Sequence, residues 1–251
     1  VTTQFIAVVP ARYASTRLPG KALKDIAGKP MIQWVYDRAV RSGASEVIVA
    51  TDDERIAAAC AQFGARAEMT SRAHASGTDR IGELARRFGW PGEQIVVNVQ
   101  GDEPLISPRC IAQTAALLAS HPEAAIATLT APLENEEEFR DPNFVKVVTD
   151  RQGFALYFSR APIPWPRDGG GAEARRHIGL YAYRAAGLKA ISEAPPCALE
   201  GTEKLEQLRA LWLGHRIVVA DAVEAPSPHV DTEQDLVKVR RHMERLAKEK
   251  P

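Results

Sequence analysis

Four short apolar runs, each strand-length and each separated from the next by a stretch of helical periodicity, constrain this chain more than any other feature. Phe5–Val9, Glu46–Thr51 and Gln94–Val99 are rich in Val and Ile with little polar interruption, and Arg66–Met69 is a weaker run with neither residue. A strand with one wet face alternates, whereas a nearly unbroken run suits a strand covered on both faces. Between the runs lie helices. Pro30 stands where a first helical residue belongs, Met31, Ile32, Val35, Ala39 and Val40 form a stripe, and Gly43 ends the segment. Asp53–Phe63 closes at Gly64, Thr78–Phe88 closes at Gly89, and Ser107-Pro108 opens a helix running to about Ser120. Alternation of this kind predicts a largely parallel sheet with helices on both faces. Such sheets bind ligands at the carboxyl ends of their strands.

The second half changes style. Val145–Thr149 and Ala155–Ser159 flank Asp150-Arg151-Gln152-Gly153, a hairpin signal. Pro162, Pro164 and Pro166 punctuate an extended loop that ends in Gly169-Gly170-Gly171 and is expected to be mobile. His177–Tyr183 and Arg216–Ala220 read as strands, and Ala185–Glu193 and Thr202–Trp212 as helices. Thr232 and Asp235 form a capping-box-like start to a last helix with Leu236, Val239, Met243 and Leu246 on one face. The chain reads as one domain, 1–251, with residues from about 131 to 183 forming a smaller inserted subdomain.

Composition excludes whole classes of function. Thirty-two Lys and Arg balance 32 Asp and Glu, so gross charge offers no footprint for nucleic acid or an acidic membrane. No stretch approaches the ~18 apolar residues of a membrane span, and Phe5–Val9, broken by Pro10 and Arg12, is too short for a signal-peptide core. Cys60, Cys110 and Cys197 lie far apart with no C-x-x-C spacing, which argues against a zinc site or disulfide framework and for a reducing compartment. A cytoplasmic location is expected.

The residues leaving the strand ends carry the chemistry. Pro10 to Lys21 holds Arg12, Arg17 and Lys21, the hydroxyls of Ser15 and Thr16, and the turn residue Gly20. Backbone N–H groups and cations together make a cradle for a polyphosphate, although a solvated basic loop has the same composition. It is not a Walker A loop, because Ser15 stands at the first Gly position and Ala22 follows the lysine. After the second strand, Thr51-Asp52-Asp53 is explained by helix capping, which alone accounts for Asp52. The third exit, His74 to Arg80, is a small-residue turn that reads a base edge or merely caps a helix through Thr78. The fourth exit, Gln100-Gly101-Asp102-Glu103-Pro104, places a hard carboxylate where Mg²⁺ would accept one or two carboxylates plus phosphates. A turn in which Asp102 bonds nearby backbone is the alternative. A basic loop and an acidic loop leaving one sheet edge favour the ligand-binding reading. Asp231 offers a second carboxylate, though by itself it reads as part of a helix start.

Taken together and in order, PARYASTRLPGK (10–21), VNVQGDEP (97–104), YFSRAPIPW (157–165), HIGLYAYR (177–184), EKLEQLRALW (203–212) and VDTEQDL (230–236) resemble the 3-deoxy-manno-octulosonate cytidylyltransferases. The resemblance spans essentially the whole chain. It implies a Rossmann-like mixed, mostly parallel sheet of the nucleotide-diphospho-sugar transferase type, and a homodimer formed through the smaller subdomain. It also implies formation of CMP-Kdo and pyrophosphate from CTP and Kdo with Mg²⁺, for lipopolysaccharide synthesis. By position, Arg12, Ser15, Arg17 and Lys21 resemble triphosphate contacts, and Ser76, Gly77 and Arg80 the nucleotide-recognition turn. Asp102 and Asp231 resemble the Mg²⁺ carboxylates. Gln100, Arg160, His177, Tyr181, Glu206 and Gln207 resemble the sugar-binding set, with Arg160 suited to bidentate capture of the sugar carboxylate. Glu206 and Gln207 are expected on a helix whose Leu205, Leu208 and Trp212 face the core. The short Arg167–Arg176 segment departs from the longer one of many relatives.

Two other classes share part of this pattern. A kinase or P-loop ATPase also pairs a lysine loop with an acidic strand end, but the Walker A residues are missing. A protein that senses CTP without turnover would not need both the acidic and the sugar-type motifs.

Overall fold

Alternate residues of the first strand, β1 (Ile6–Ala11), feed two different cores, which is why the run carries almost no polar side chain. The computed structural model of the chain describes residues 3–15, 17–169 and 173–248. After β1 come a short 3₁₀ turn at Lys21–Leu23 and a ribbon of β2 (Asp25–Ile26) and β3 (Lys29–Pro30). The alternating part follows as α1 (Met31–Arg41), β4 (Glu46–Thr51), α2 (Glu54–Gln62), β5 (Arg66–Met69), α3 (Gly77–Arg87), β6 (Ile95–Asn98) and α4 (Pro108–Ala119). The rest is β7 (Ile126–Pro132), α5 (Glu136–Arg140), β8 (Lys146–Thr149), β9 (Ala155–Ser159), β10 (Arg175–Arg184), α6 (Ala185–Glu193), α7 (Ala198–Glu203), α8 (Gln207–Trp212), β11 (Ile217–Asp221) and α9 (Glu233–Lys248).

The main sheet runs β11-β7-β10-β6-β1-β4-β5. Every neighbouring pair is parallel except those made by β10, which is antiparallel to both β6 and β7. On one face Ala7, Val9, Val49 and Val97 pack with Ile32 and Val35 of α1, Ile56 of α2 and Ile111 of α4. On the other, Ile6, Val8, Ile48 and Val96 pack with Ile81 and Leu84 of α3 and Leu188 of α6. Burying a Val, Leu or Ile side chain contributes about 1.5–3 kcal/mol, so a strand buried on both faces anchors the whole arrangement. From β1 the chain moves to β4 and β5 on one side, then returns through α3 to β6 on the other. The strand order therefore reverses between β1 and β6, and a crevice opens at their carboxyl ends.

A third apolar cluster lies outside the sheet. Leu18, Ile26 and Met31 pack against Val230, Leu236, Val239 and Met243, which docks α9 on the loop after β1. Thr232 Oγ1 accepts from the Asp235 N–H at 3.2 Å and Asp235 Oδ2 accepts from the Thr232 N–H at 3.0 Å, the expected reciprocal cap. The Leu246 side chain lies outside the described residues. Within 131–183, β8 and β9 form the expected hairpin, and β8 pairs with Arg175 and Arg176 of β10. This segment thus continues from the main sheet through β10. Gly170 and Gly171, expected to be mobile, also lie outside the described residues.

Several local expectations need correction. Pro30 precedes α1 as its cap instead of being its first residue, and Val40 lies outside the buried stripe, 49% exposed. Thr202–Trp212 is two helices, because Lys204 adopts φ +55° and ends α7. Leu205 and Leu208 face the core as expected, but Trp212 is exposed. The α2 cap is Asp53, which accepts from the Arg55 N–H at 3.0 Å, so capping does not account for Asp52. The α3 cap is Ser76, accepting from the Asp79 N–H at 3.1 Å, and Thr78 is not the cap.

Candidate active site

Two glycines let the β6 exit and the start of α3 close on Pro10 of β1. A Cβ on Gly101 would lie 2.6 Å from the Pro10 carbonyl oxygen, and one on Gly77 would lie 3.1 Å from Pro10 Cγ. No larger residue fits at 101 without moving backbone. Over this close approach lies a cavity lined by Arg12, Ser15, Arg17 and Lys21 from the first loop and by Ser76, Gly77 and Arg80 from the turn into α3. Gln100, Asp102, Glu206 and Asp231 complete it, so every residue expected to contact the nucleotide lines one space. Thr16, from the same loop, lies outside the described residues.

Opposite charges meet at its centre. Lys21 Nζ donates to Asp102 Oδ2 at 2.8 Å and to Asp231 Oδ1 at 3.0 Å, and Arg17 NH2 lies 3.2 Å from Asp231 Oδ2. Asp102 and Asp231, 129 positions apart, thus converge on one cation. Burial alone would raise the Asp102 carboxyl, but contact with His229 and the charge of Lys21 outweigh it and hold the group below the usual carboxylate range. Arg80 is nearly buried and anchored from below. Its NH2 donates to Asp52 Oδ2 at 2.8 Å and its NH1 to Thr70 Oγ1, which gives Asp52 a role that capping does not.

A second cavity adjoins the first and shares Gly77, Gln100 and Glu206 with it. His177, Tyr181 and Gln207 line it, as the sugar-site expectation requires. A register shift in β10 between Ile178 and Tyr181 keeps the His177 and Tyr181 rings together, with centroids 5.2 Å apart. His177 is not free for acid–base work. Its Nε2 donates to Thr128 Oγ1 at 3.0 Å, since that hydroxyl sends its own proton to a nearby backbone carbonyl, and burial pulls its pKa down to about 3. Burial raises the Glu206 carboxyl and the Tyr181 phenol. His177 and Tyr181 therefore give the second cavity an uncharged, polar side.

Arg160 departs from expectation. Its Nε donates to the Glu203 carbonyl at 2.7 Å and its NH1 to the Pro142 carbonyl at 2.8 Å, and it is not among the residues lining either cavity. The neighbouring Lys146 ammonium, fully buried, is held by the carbonyls of Asp141, Phe144 and Arg160 itself, so this corner is a backbone-anchoring hub. Arg176, Lys204 and His229 line the second cavity as cations or potential cations. Sequence reasoning missed these three, along with Asn98 and Tyr183. Even spacing would have found two of them. Asn98 lies two residues before Gln100, and Tyr183 two after Tyr181, each on the same strand face. Asn98 Oδ1 and Gln207 Nε2 are buried without a hydrogen-bond partner, an acceptor and a donor lining the same cavity. A ligand hydroxyl supplies both complements at once.

Among the described residues, no group of three or more His, Cys, Asp or Glu forms a metal cage. Two carboxylates converging on a single ammonium are nonetheless a donor set that fits Mg²⁺, which is usually held by one or two carboxylates with phosphates and water completing its shell. No helix among the described residues is long and apolar enough to cross a membrane.

The chain is similar to known proteins along its length. A family model described as cytidylyltransferase matches residues 6–217. A 3-deoxy-manno-octulosonate cytidylyltransferase of Pseudomonas fluorescens (strain Pf-5) is 56% identical over 97% of this chain and all of its own length. One from Pseudomonas syringae pv. syringae is 53% identical over the same shares. The solved structure of a CMP:2-keto-3-deoxy-manno-octonic acid synthetase complexed with CTP superposes with a TM-score of 0.89 at 44% identity, covering 96% of this chain and 98% of that one. A 4-diphosphocytidyl-2C-methyl-D-erythritol synthase from Anaerococcus prevotii, at 12% identity and a TM-score of 0.62, shares the fold. With a family model over residues 6–217 and relatives more than half identical along their full length, the chain belongs to the cytidylyltransferase family.

Proposed function

We propose that this chain is a 3-deoxy-manno-octulosonate cytidylyltransferase, which joins Kdo to CMP from CTP and releases pyrophosphate, supplying an activated sugar for lipopolysaccharide assembly. The observation that carries the reading is the meeting of Lys21, Asp102 and Asp231 where the cavity under the first loop opens into a second, polar one. The full-length relatives supply the substrate pair.

The residues divide the work by position. Arg12, Ser15, Arg17 and Lys21 hold the triphosphate, and Ser76, Gly77 and the clamped Arg80 hold the nucleoside end. Gln100, His177, Tyr181, Glu206 and Gln207 hold the sugar hydroxyls, joined by Asn98. Arg176 and Lys204 are placed to neutralise the sugar carboxylate. The anomeric oxygen of Kdo forms a bond to the α-phosphorus as the bond from that phosphorus to the β-phosphate bridging oxygen breaks, and the hydroxyl proton is lost. Positioning two anions for in-line attack is the main demand, because they repel each other. Lys21 and Arg17 stabilise the charge that develops on the departing pyrophosphate. Asp102 and Asp231 would hold Mg²⁺, which when bound neutralises phosphate charge and lowers the pKa of the attacking hydroxyl.

The smaller segment also presents Leu156 and Trp165, both more than 60% exposed. Together with the family likeness, these apolar side chains support a homodimer formed through it. A cytoplasmic location is part of the same reading, since the activated sugar is made from CTP. The direct test is pyrophosphate release from CTP, ATP, UTP and GTP, each with and without Kdo. Release with CTP that depends on Kdo is expected, and release without any sugar would mark a hydrolase instead.

A further inference from the structure

One buried carboxylate at the site has no part in the mechanism above. Glu103 follows Asp102 directly, is 2% exposed, and lines neither cavity. Its Oε2 accepts from Ser227 Oγ at 3.3 Å, and its Oε1, which has no hydrogen bond of good geometry, lies 3.3 Å from His229 Nδ1. Beside these, the Val230 N–H donates to the Asp102 carbonyl at 2.9 Å. The β6 exit and the loop before α9 are therefore joined at three successive points, and the next residue of that loop is Asp231.

This junction needs an explanation. A carboxylate buried beside a second carboxylate is costly, and an apolar side chain at the same place would be the cheaper way to pack a loop. Asp231 lies ten residues beyond the end of β11, so no strand pairing sets its height over the sheet. Docking of α9 through Val230 and Leu236 fixes the loop coarsely, by non-directional apolar contact. Directional contacts must do the rest, and Glu103 supplies two of them, beside the Val230–Asp102 hydrogen bond and the 4.0 Å approach of His229 Nδ1 to Asp102 Oδ1.

We propose that Glu103 is a positioning residue: through Ser227 and His229 it sets the loop so that Asp231 meets the same cation as Asp102. The inference rests on the reading of Asp102 and Asp231 as the divalent-cation pair. Partners that orient metal-binding carboxylates typically matter by 10–100-fold in metal affinity, which fixes the size of the expected effect.

The test compares the intact enzyme with Glu103→Gln, Ser227→Ala and Asp102→Asn. Mn²⁺ binding is followed by the electron paramagnetic resonance of the free ion, CTP binding by calorimetry in the presence of a chelator, and turnover as a function of Mg²⁺. Glu103→Gln keeps the shape and the acceptor for Ser227 but loses the charge facing His229. It is expected to weaken Mn²⁺ binding about tenfold or more, to leave chelator-phase CTP affinity within about twofold, and to recover most of its kcat at saturating Mg²⁺. Ser227→Ala, which removes one anchor and no charge, should weaken Mn²⁺ about threefold, and it carries the test alone if Glu103→Gln does not fold. A merely structural role would instead lower CTP affinity and stability together without rescue by Mg²⁺, and that outcome overturns the proposal. So does unchanged Mn²⁺ affinity in the folded variants. If Asp102→Asn also leaves Mn²⁺ affinity unchanged, the carboxylate pair is not the cation site, and the underlying reading fails with it.

Discussion

Replacing Lys21 by Met should move two observables in opposite directions. The substitution removes the ammonium and keeps most of the apolar stem, so packing changes little. In the structure that ammonium sits 2.8 Å from Asp102 and 3.0 Å from Asp231. At about 3 Å and an effective dielectric near 20, each attraction is worth about 5 kcal/mol before desolvation. Side-chain exposures of 17% for Lys21, 27% for Asp102 and 36% for Asp231 mean that water screens a large part of it. What survives is about 1.5–3 kcal/mol, the range for hydrogen bonds to charged groups. A divalent cation entering the nucleotide-free enzyme must displace that ammonium from the carboxylates, so Lys21→Met should bind Mn²⁺ about ten- to a hundredfold more tightly. Its kcat/KM for CTP should fall by about 10²–10³, because the leaving pyrophosphate loses a preorganised cation. Mn²⁺ titration without nucleotide reads the first effect, and initial rates of pyrophosphate release read the second. Mn²⁺ binding no tighter than in the unmodified enzyme would refute the idea that Lys21 occupies the cation's position. Wild-type kcat/KM would refute its part in catalysis.

Asp102→Ala should lower turnover by about 10³-fold or more with the thermal transition retained, and near-normal rates at saturating Mg²⁺ would remove it from the mechanism. Gly101→Ala drives a methyl against the Pro10 carbonyl and should cost about 1–3 kcal/mol in urea unfolding while raising the KM for CTP; a neutral substitution would show that the β1 and β6 exits are not held together there. His177 is half-buried and neutral with its pKa pulled down to about 3, so the unfolded chain takes up a proton that the folded one refuses. Its contribution to stability is present above pH 6.5 and is lost as pH falls toward 3. His177→Asn should therefore flatten the acid limb of the stability curve over that window, and an unchanged limb would mean the ring is protonated in the fold.

Three early strands were legible because burial on both faces writes itself as unbroken Val and Ile; the edge strand β5, Arg-Ala-Glu-Met with no buried residue, carries no such mark, yet all four runs are strands within two residues of their expected ends. Caps were less legible. Ser76 and Thr78, or Asp52 and Asp53, offer the same chemistry two or one positions apart, and only backbone dihedrals choose between them. The nucleotide loop could be read from its cations, but its neutralisation by Asp231 could not. That contact depends on α9 docking through Leu236 and Val239 onto Leu18 and Ile26, an association between the two ends of the chain that no local pattern encodes. Arg160 shows the converse limit. Sequence displays a guanidinium in a proline-rich loop, suited to an anion, but not the carbonyls of Glu203 and Pro142 that take two of its donors. Glu103 and His229 carry no sequence signal of their own, because Asp102 and Asp231 already account for their segments.

Charge accounting at the nucleotide cavity gives a last consequence. Arg12, Arg17, Lys21 and Arg80 line it with Asp102, Asp231 and Glu206, and Arg80 is already engaged by Asp52. Lys21 and Arg17 are likewise engaged by the two aspartates. The cavity is therefore close to neutral although its loop is strongly basic, and the chain's own cations do not match a triphosphate. A divalent ion on the carboxylates supplies the missing positive charge and also releases Lys21 and Arg17 to the phosphates, so one ion changes the local balance twice. CTP binding, and not only turnover, should then depend on the metal. Calorimetric titration of CTP with Mg²⁺ and with a chelator should show an affinity about tenfold or more weaker without the ion, since each 1.4 kcal/mol of lost neutralisation is a factor of ten. Equal affinity under both conditions would mean that the basic loop neutralises the phosphates alone, and that the contacts between Lys21 and the two aspartates break without help.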